Sequence, residues 1–121
     1  MHTASDQIHH IHVIRKREDF LAIQRKQRKY VTQGMVIQVA PNHLDIIRRG
    51  ITVSSKVDKR AVVRNRLKRR LRAISSDVLS QYGHAGFDIV LIGRRQGLKR
   101  QYSDLKNDLI TALKKLGATN D

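Results

Sequence analysis

The segment from Lys56 to Arg72 carries the side chains of this sequence that are best suited to binding a polyanion. Nine of its seventeen residues are Lys or Arg, and Asp58 is the one acidic residue among them. Several cations recur four residues apart, where like charges destabilise an isolated helix by about 0.2–0.5 kcal/mol per pair. The planar guanidinium of arginine can donate two hydrogen bonds to phosphate oxygens. A solubilising helix face would mix both signs of charge, so the segment predicts phosphate binding with a steep salt dependence.

The sequence offers little for catalysis by the polypeptide itself. It has no cysteine, which excludes thiolate zinc sites and cysteine nucleophiles. Four histidines lie near the N-terminus with few carboxylates beside them, and we interpret them as a chance cluster without a metal. They are His2, His9, His10 and His12. Two close carboxylate pairs lack a positioned base or metal ligands, and we interpret them as solvated charges. They are Glu18 with Asp19 and Asp104 with Asp108.

Length and charge narrow the class of protein. The chain has 121 residues and a formal net charge of +15, which fits one domain that binds an anionic partner. Hydrophobic residues make up 40% of the chain, enough for a core, so disorder throughout is not expected. No apolar run reaches the roughly 20 residues of a membrane span, and no signal peptide is evident. Nucleic acid is the first expected partner, and we expect a cytoplasmic protein.

The pattern of apolar residues predicts three helices and three strands in the order αββαβα, an α+β arrangement of packed layers. The helices are expected over 16–27, 58–81 and 103–116, and the strands over 35–40, 50–55 and 87–92. Asp58 is the expected N-cap of the long helix. Ile51 and Val53 alternate with Thr52 and Ser54, which is typical of a half-buried strand. The long helix has one apolar sector, formed by Val63, Leu67, Leu71, Ile74 and Val78.

Two stretches of the chain resemble the bacterial ribonuclease P protein family. The first is Gly-Ile-Thr-Val-Ser-Ser-Lys from Gly50, and the second is Ala-Val-Val-Arg-Asn-Arg-Leu-Lys-Arg-Arg-Leu-Arg from Ala61. The family's motif is a glycine-led strand followed by a helix with Arg-Asn-Arg and further cations at fixed spacing. Asp19–Phe20 and the strand from Phe87 also fit the family pattern, so the resemblance covers roughly residues 14–116.

This resemblance implies a fold and a division of labour. The fold is a small two-layer α/β sandwich, like domain 2 of ribosomal protein S5, with a mixed sheet of three to four strands and a left-handed βαβ crossover. An RNA subunit with bound Mg²⁺ cleaves the 5′ leader from precursor tRNA, and the protein binds both RNAs without a metal of its own. One monomeric protein per RNA is expected. The implied domains are a flexible segment 1–13, an RNA-binding domain 14–117 and a frayed tail 118–121.

The resemblance also implies two sets of site residues. The set that contacts RNA is Arg60, Arg64, Asn65, Arg66, Lys68, Arg69 and Arg72. The set that forms a leader cleft between the first helix and the sheet is Arg17, Phe20, Gln24, Gln38 and Lys56. Family members often have aromatic residues at the positions of Gln24 and Gln38, so leader binding here should depend more on hydrogen bonds and charge. Phe20 has an alternative role as an ordinary core residue beside Leu21 and Ile23.

Three other functions remain open from the sequence. A ribosomal or other structural RNA-binding protein would share the basic helix without affecting precursor cleavage. A DNA-binding helix would present polar side chains to base edges near its N-terminal end, and Asn65 alone fits that pattern. A binder of anionic membranes would need a large apolar face to insert, whereas the apolar sector of the long helix is required for the core.

Overall fold

The structure is a computed structural model that describes residues 11–26 and 28–119. Its elements are β1 (Ile11–Val13), α1 (Arg17–Lys26), β2 (Arg28–Val31), β3 (Met35–Pro41), β4 (Ile47–Thr52), α2 (Ala61–Tyr82), β5 (Phe87–Gly93) and α3 (Tyr102–Lys115). A short 3₁₀ helix spans Arg95–Leu98. The α+β class is confirmed, and all three expected helices are present.

The five strands form one mixed sheet in the spatial order β1-β4-β5-β3-β2. Strands β1, β4 and β5 are parallel to one another, and β3 is antiparallel to both β5 and β2. The connection β4–α2–β5 therefore joins two adjacent parallel strands, as the expected βαβ unit requires. The left hand of this crossover stays a prediction from the resemblance.

The expected count of three to four strands is too low, because β1 and β2 were not predicted. Both are short edge strands, and most of their residues are exposed. The sequence of a short edge strand need not alternate between apolar and polar residues. The pairing of β1 with β4 and of β2 with β3 therefore leaves almost no pattern in the local sequence. Residues 11–13 belong to the sheet rather than to a flexible segment, whereas residues 1–10 lie outside the described part of the chain.

Strand β4 begins three residues earlier than expected and ends at Thr52 instead of residue 55. Ile47 is fully buried and is the partner of Phe87 on β5. Arg48 and Arg49, two cations in succession, concealed this start because charged residues are unusual inside a central strand.

Near the C-terminal end of the chain, Ala118 is fully buried and Thr119 bridges to Gly83. These two residues therefore pack against the domain, although we expected them to fray.

The main core lies between one face of the sheet and the helices α2 and α3, which form the expected two-layer sandwich. Every residue of the predicted apolar sector of α2 is buried in it. The sheet contributes Met35, Ile37, Val39, Ile47, Ile89 and Leu91, and α3 contributes Leu105, Leu109, Ala112 and Leu113.

Helix α1 covers part of the opposite face of the sheet and adds a partial third layer. Ile23 packs there with Ile14, Ala40 and Val90, and Phe20 lies partly buried beside them. This small cluster fixes the position of α1 and leaves the rest of that face for a cleft.

Arg60, and not Asp58, is the N-cap residue of α2, and its side chain makes no capping hydrogen bond. Asp58 lies two residues earlier and accepts hydrogen bonds from the Arg60 backbone N–H at 2.8 Å and from its Nε at 3.0 Å. These bonds lower the pKa of the Asp58 carboxyl well below its usual value. The carboxylate thus closes the turn before the helix, two residues ahead of the N-cap position.

Arg48 and Asp88 form a charged pair between neighbouring strands on the α1 side of the sheet. Asp88 is 4% exposed, and Arg48 donates to its two oxygens from Nε at 2.7 Å and Nη2 at 2.5 Å. Asn42 donates a further bond to Oδ1 at 3.0 Å. The hydrogen bond to Asp88 raises the pKa of Arg48.

Replacing Arg48 with methionine should lower the free energy of unfolding by about 2 kcal/mol, because it leaves the buried carboxylate of Asp88 without a counter-ion. Urea unfolding at pH 7 measures this change. The double variant R48M/D88N removes both charges of this pair and should recover part of the loss. Equal destabilisation of the single and the double variant would contradict the prediction.

Candidate nucleic-acid interface

Four of the predicted RNA-contacting residues form an exposed stripe along α2. Asn65, Arg66, Arg69 and Arg72 are all exposed, and their spacing of three or four residues places them on one side of the helix. We call this set the α2 stripe. Their side chains have no hydrogen-bond or ion-pair partner within residues 11–26 and 28–119. The stripe thus presents three guanidinium groups and one amide that are free to bind phosphate and base edges.

The other three predicted contacts lie at the margin of this stripe and are partly engaged in the fold. Arg60 is ion-paired with Asp58, with an Nη2–Oδ2 distance of 3.0 Å. The half-buried Arg64 donates from Nη1 to the backbone oxygens of Asp58 at 2.9 Å and Lys59 at 2.7 Å. Lys68 is half-buried beside them. Arg60 and Arg64 therefore hold the start of α2, which leaves the α2 stripe as the more available surface.

A cleft of about 480 Å³ lies beside α1 on the opposite side of the sheet from the main core. It is lined by Arg15, Arg17, Phe20, Leu21, Gln24 and Thr52. We call it the α1 cleft. The structure therefore brings together three of the five residues predicted for leader binding, namely Arg17, Phe20 and Gln24. A groove that combines cations with an aromatic ring is typical of proteins that bind single-stranded nucleic acid.

Gln38 and Lys56, the other two predicted leader-cleft residues, do not line this cleft. Gln38 lies on β3 opposite Val90, on the face that carries α1, but it is 6% exposed and lies below the surface. Lys56 is exposed in the turn between β4 and α2, four residues beyond Thr52. Their roles in leader binding stay predictions.

Phe20 packs against the sheet and also lines the α1 cleft, while its contact with the leader stays a prediction. Its ring packs over Gly50 so closely that a Cβ atom there would lie 2.6 Å from Cε1 and 2.7 Å from Cζ. The same side chain also lines the α1 cleft. Glycine at position 50, the residue that leads the family-like strand, is thus required where the aromatic ring meets the sheet.

Three residues of the α1 cleft were missed by the sequence analysis. Arg15 precedes the helix, and nothing in its local pattern pointed to the cleft. Leu21 looked like a core residue but is partly exposed at the rim. Thr52 could have been found, because the alternation of β4 already placed it on the face opposite to Ile51.

The His, Asp and Glu side chains of the described residues were also candidates for chemistry. No group of three or more His, Asp or Glu side chains within residues 11–26 and 28–119 could hold a metal ion. Asp108 accepts from Arg100 at 2.6 Å, and Asp19 lies 3.7 Å from Arg48, so one member of each carboxylate pair is engaged by an arginine. His2, His9 and His10 lie outside the described residues. None of the described helices is long and apolar enough to cross a membrane.

Comparison with known proteins places this arrangement in a family. Residues 9–117 match the profile of the family described as Ribonuclease P. The ribonuclease P protein component of Paramagnetospirillum magneticum is 43% identical over 110 residues, which cover 87% of this chain and 82% of that protein. The ribonuclease P protein component of Erythrobacter litoralis is 45% identical over 103 residues, which cover 85% of this chain and 84% of that protein.

A solved structure shows the same fold. The RNase P protein of Staphylococcus aureus superposes on this chain with a TM-score of 0.75 at 29% identity, and the match covers 90% of this chain and 98% of that one. The profile, the relatives and the fold agree with the motif carried by β4 and α2. The chain therefore belongs to the family of ribonuclease P protein components.

Proposed function

We propose that the chain acts as the accessory protein subunit of ribonuclease P in tRNA 5′ maturation and binds two RNAs with two surfaces. The α2 stripe contacts the catalytic RNA subunit, and the α1 cleft holds the single-stranded 5′ leader of precursor tRNA. The RNA subunit carries out the endonucleolytic cleavage that removes the leader. The protein acts as a monomer, one per RNA, in the cytoplasm. Family membership supports the assignment to ribonuclease P. The geometry of the two surfaces supports the assignment of one RNA to each surface.

The observation that carries this proposal is that the two surfaces adjoin. Phe20 lines the α1 cleft and also a smaller pocket, whose wall includes Arg72 of the α2 stripe. A leader in the cleft would thus lie next to an RNA bound to the stripe. The protein, with its net charge of +15, would reduce the repulsion between the two phosphate backbones and so favour their association.

We assign Mg²⁺ to the RNA subunit. The metal would neutralise charge at the reacting phosphate and activate the attacking water. Carboxylate oxygens are its preferred protein ligands, and the part of the chain that the structure describes offers no cluster of them. In this proposal, the chain binds and orients RNA.

Reconstitution tests the proposed function. The full chain is combined with a bacterial ribonuclease P RNA and precursor tRNA at a low Mg²⁺ concentration, where RNA alone cleaves slowly. We expect the chain to restore cleavage at the mature 5′ end. A chain that binds the RNA without restoring cleavage would instead be a structural RNA-binding protein, and the proposal would be wrong.

The same assay separates the α1 cleft from general charge. Arg17→Ala should weaken binding of leader-bearing precursor by about threefold to fivefold, because one exposed cation of the cleft is lost, and should leave binding of mature tRNA unchanged. Arg25→Ala is the matched control, since Arg25 is an exposed cation on the same helix that does not line the cleft. Equal effects of the two variants would contradict leader binding in this cleft.

A further inference from the structure

Arg49 is a buried cation whose described surroundings contain no acid. It lies on β4, between Val13 of β1 and Ile89 of β5, and is 8% exposed. Its contacts with α2 all use one nitrogen, Nη1. This atom donates to the Ser76 hydroxyl at 2.8 Å, to the Ser75 hydroxyl at 3.0 Å and to the Arg72 carbonyl at 3.3 Å.

The surroundings of Arg49 differ from those of the other arginines that the fold encloses. Arg48 and Arg100 each pair with a carboxylate, and Arg70 donates from both terminal nitrogens to backbone carbonyls. For Arg49, the charged side chain that affects the pKa is another cation, Arg72. Burial, and then the charge of Arg72, lower the pKa of Arg49.

Most of the hydrogen-bonding capacity of Arg49 is unused. A guanidinium carries five N–H donors in a rigid fork. Nε and Nη2, which hold three of them, have no acceptor within residues 11–26 and 28–119. Buried donors normally find partners, and a buried charge normally has a counter-charge. Nε and Nη2 of this side chain could therefore donate to an anion with several acceptor oxygens.

A pocket of about 140 Å³ contains the place for such an anion. Its lining is Val13, Ile14, Phe20, Arg49, Gly50, Ile51 and Arg72. Two of these residues are cationic and none is acidic. The ladder between β1 and β4 ends at Val13 and Arg49, so the pocket lies where the edge of β4 is no longer paired. It is smaller than the roughly 300 Å³ or more of pockets that enclose whole small molecules, which favours a phosphate group over a nucleotide.

We propose that Arg49 and Arg72 bind one backbone phosphate of RNA in this pocket, at the junction between the α1 cleft and the α2 stripe. The identification of the ligand as RNA rests on the proposed function, whereas the pocket itself would accept a free phosphate ion by the same chemistry. Nη1 of Arg49 holds the side chain to α2. The phosphate oxygens are faced by Nε and Nη2 of Arg49 and by the guanidinium of Arg72. Phe20 connects this phosphate to the leader path, because its ring lines both cavities.

The first test measures binding of precursor tRNA to the reconstituted holoenzyme over a range of KCl concentrations. Arg49→Met should weaken binding by about fivefold at 0.1 M salt and make the slope of log K against log [salt] shallower by about 0.7, as loss of one single-strand phosphate contact requires. Arg70→Met is the matched control, because Arg70 is a half-buried cation bonded to carbonyls, and it should change the slope by less than half as much.

The free energy of unfolding of each variant is measured as well, because Arg49 also joins α2 to β4. If Arg49→Met does not fold, Arg49→Lys replaces it. Lysine keeps the charge and can still donate to the serine hydroxyls, but it has no fork to share with a phosphate. A folded Arg49→Met with wild-type affinity and slope, or a folded Arg49→Lys with wild-type affinity, would overturn the proposal and leave Arg49 a structural residue.

The second test titrates inorganic phosphate into the full chain without RNA and follows it by NMR. We expect saturable shifts at the Arg49 Nε–H and at the backbone amides of Gly50 and Ile51, and their loss in the position-49 variant. If the wild-type chain bound phosphate but the variant had unchanged affinity for RNA, the ligand of the pocket would be a free anion and not RNA. If the wild-type chain failed to restore cleavage, the proposed function would fail, while this titration would still report on the pocket.

Discussion

The double variant R66A/R69A should bind ribonuclease P RNA about 30-fold more weakly than the wild-type chain at 0.1 M salt. Both side chains are exposed on the α2 stripe and lack partners within the described residues, so they are available to neutralise phosphates. Each lost contact with duplex RNA should make the slope of log K against log [salt] shallower by nearly one unit, and the pair by about 1.8. A salt series of binding isotherms measures both quantities.

The control for this prediction removes the same charge elsewhere. K29A/K115A changes two exposed lysines, one on the edge strand β2 and one in the last turn of α3, and should weaken binding by no more than about threefold. If the two double variants were equally impaired, bulk charge rather than the α2 stripe would control RNA affinity. The single variants should show the same order, with Arg66→Ala weaker in binding than Lys115→Ala.

The loss of affinity in R66A/R69A should not come from unfolding. Neither side chain contributes to the core, and alanine is the strongest helix former. Removing Arg66 and Arg69 also relieves repulsion from cations one turn away. The free energy of unfolding should stay equal or rise by about 0.5 kcal/mol, which urea unfolding can check. Higher stability with lower RNA affinity would indicate that the like charges on α2 are retained for binding.

Local periodicity was sufficient to predict α2 and the grouping of its cations. The apolar sector from Val63 to Val78 fixes which side of the helix faces the sheet, and every other side chain then follows from a turn of 3.6 residues. The exposure of Asn65, Arg66 and Arg69 could therefore be anticipated without knowing the rest of the fold. The half-buried state of Arg64 could not, because it depends on the loop that brings the carbonyls of Asp58 and Lys59 to its guanidinium.

The α1 cleft and the Arg49 pocket depend on contacts between residues distant in sequence. Strand β1 pairs with residues more than thirty positions away, and its three residues carry no local signal of that pairing. Arg49 occupies a strand position whose neighbours in the alternation, Ile47 and Ile51, are apolar, so a cation there contradicts the pattern. A buried arginine of this kind breaks the usual agreement between local pattern and fold, which is expected at functional sites.

The second large effect is expected at Gly50, where the ring of Phe20 meets the sheet. Gly50→Val should lower the free energy of unfolding by about 3 kcal/mol, because a Cβ atom at this position already overlaps the ring of Phe20 and the two added methyl groups increase the overlap. The ring would be displaced, and α1 would lose part of its packing on Ala40 and Val90. Urea unfolding of the variant and the wild-type chain measures the loss.

A second substitution separates the packing role of Phe20 from its role in leader binding. In G50V/F20A the valine occupies space that the ring has left, so the double variant should be more stable than G50V by about 1–2 kcal/mol. Its binding of leader-bearing precursor should nevertheless remain about tenfold weaker than that of the wild-type holoenzyme, since stacking of a base on an aromatic ring contributes about 1–3 kcal/mol. Binding of mature tRNA, which has no leader, should be unchanged. A double variant that regained both stability and leader affinity would show that Phe20 serves the core alone, and the α1 cleft would then have to bind the leader without an aromatic contact.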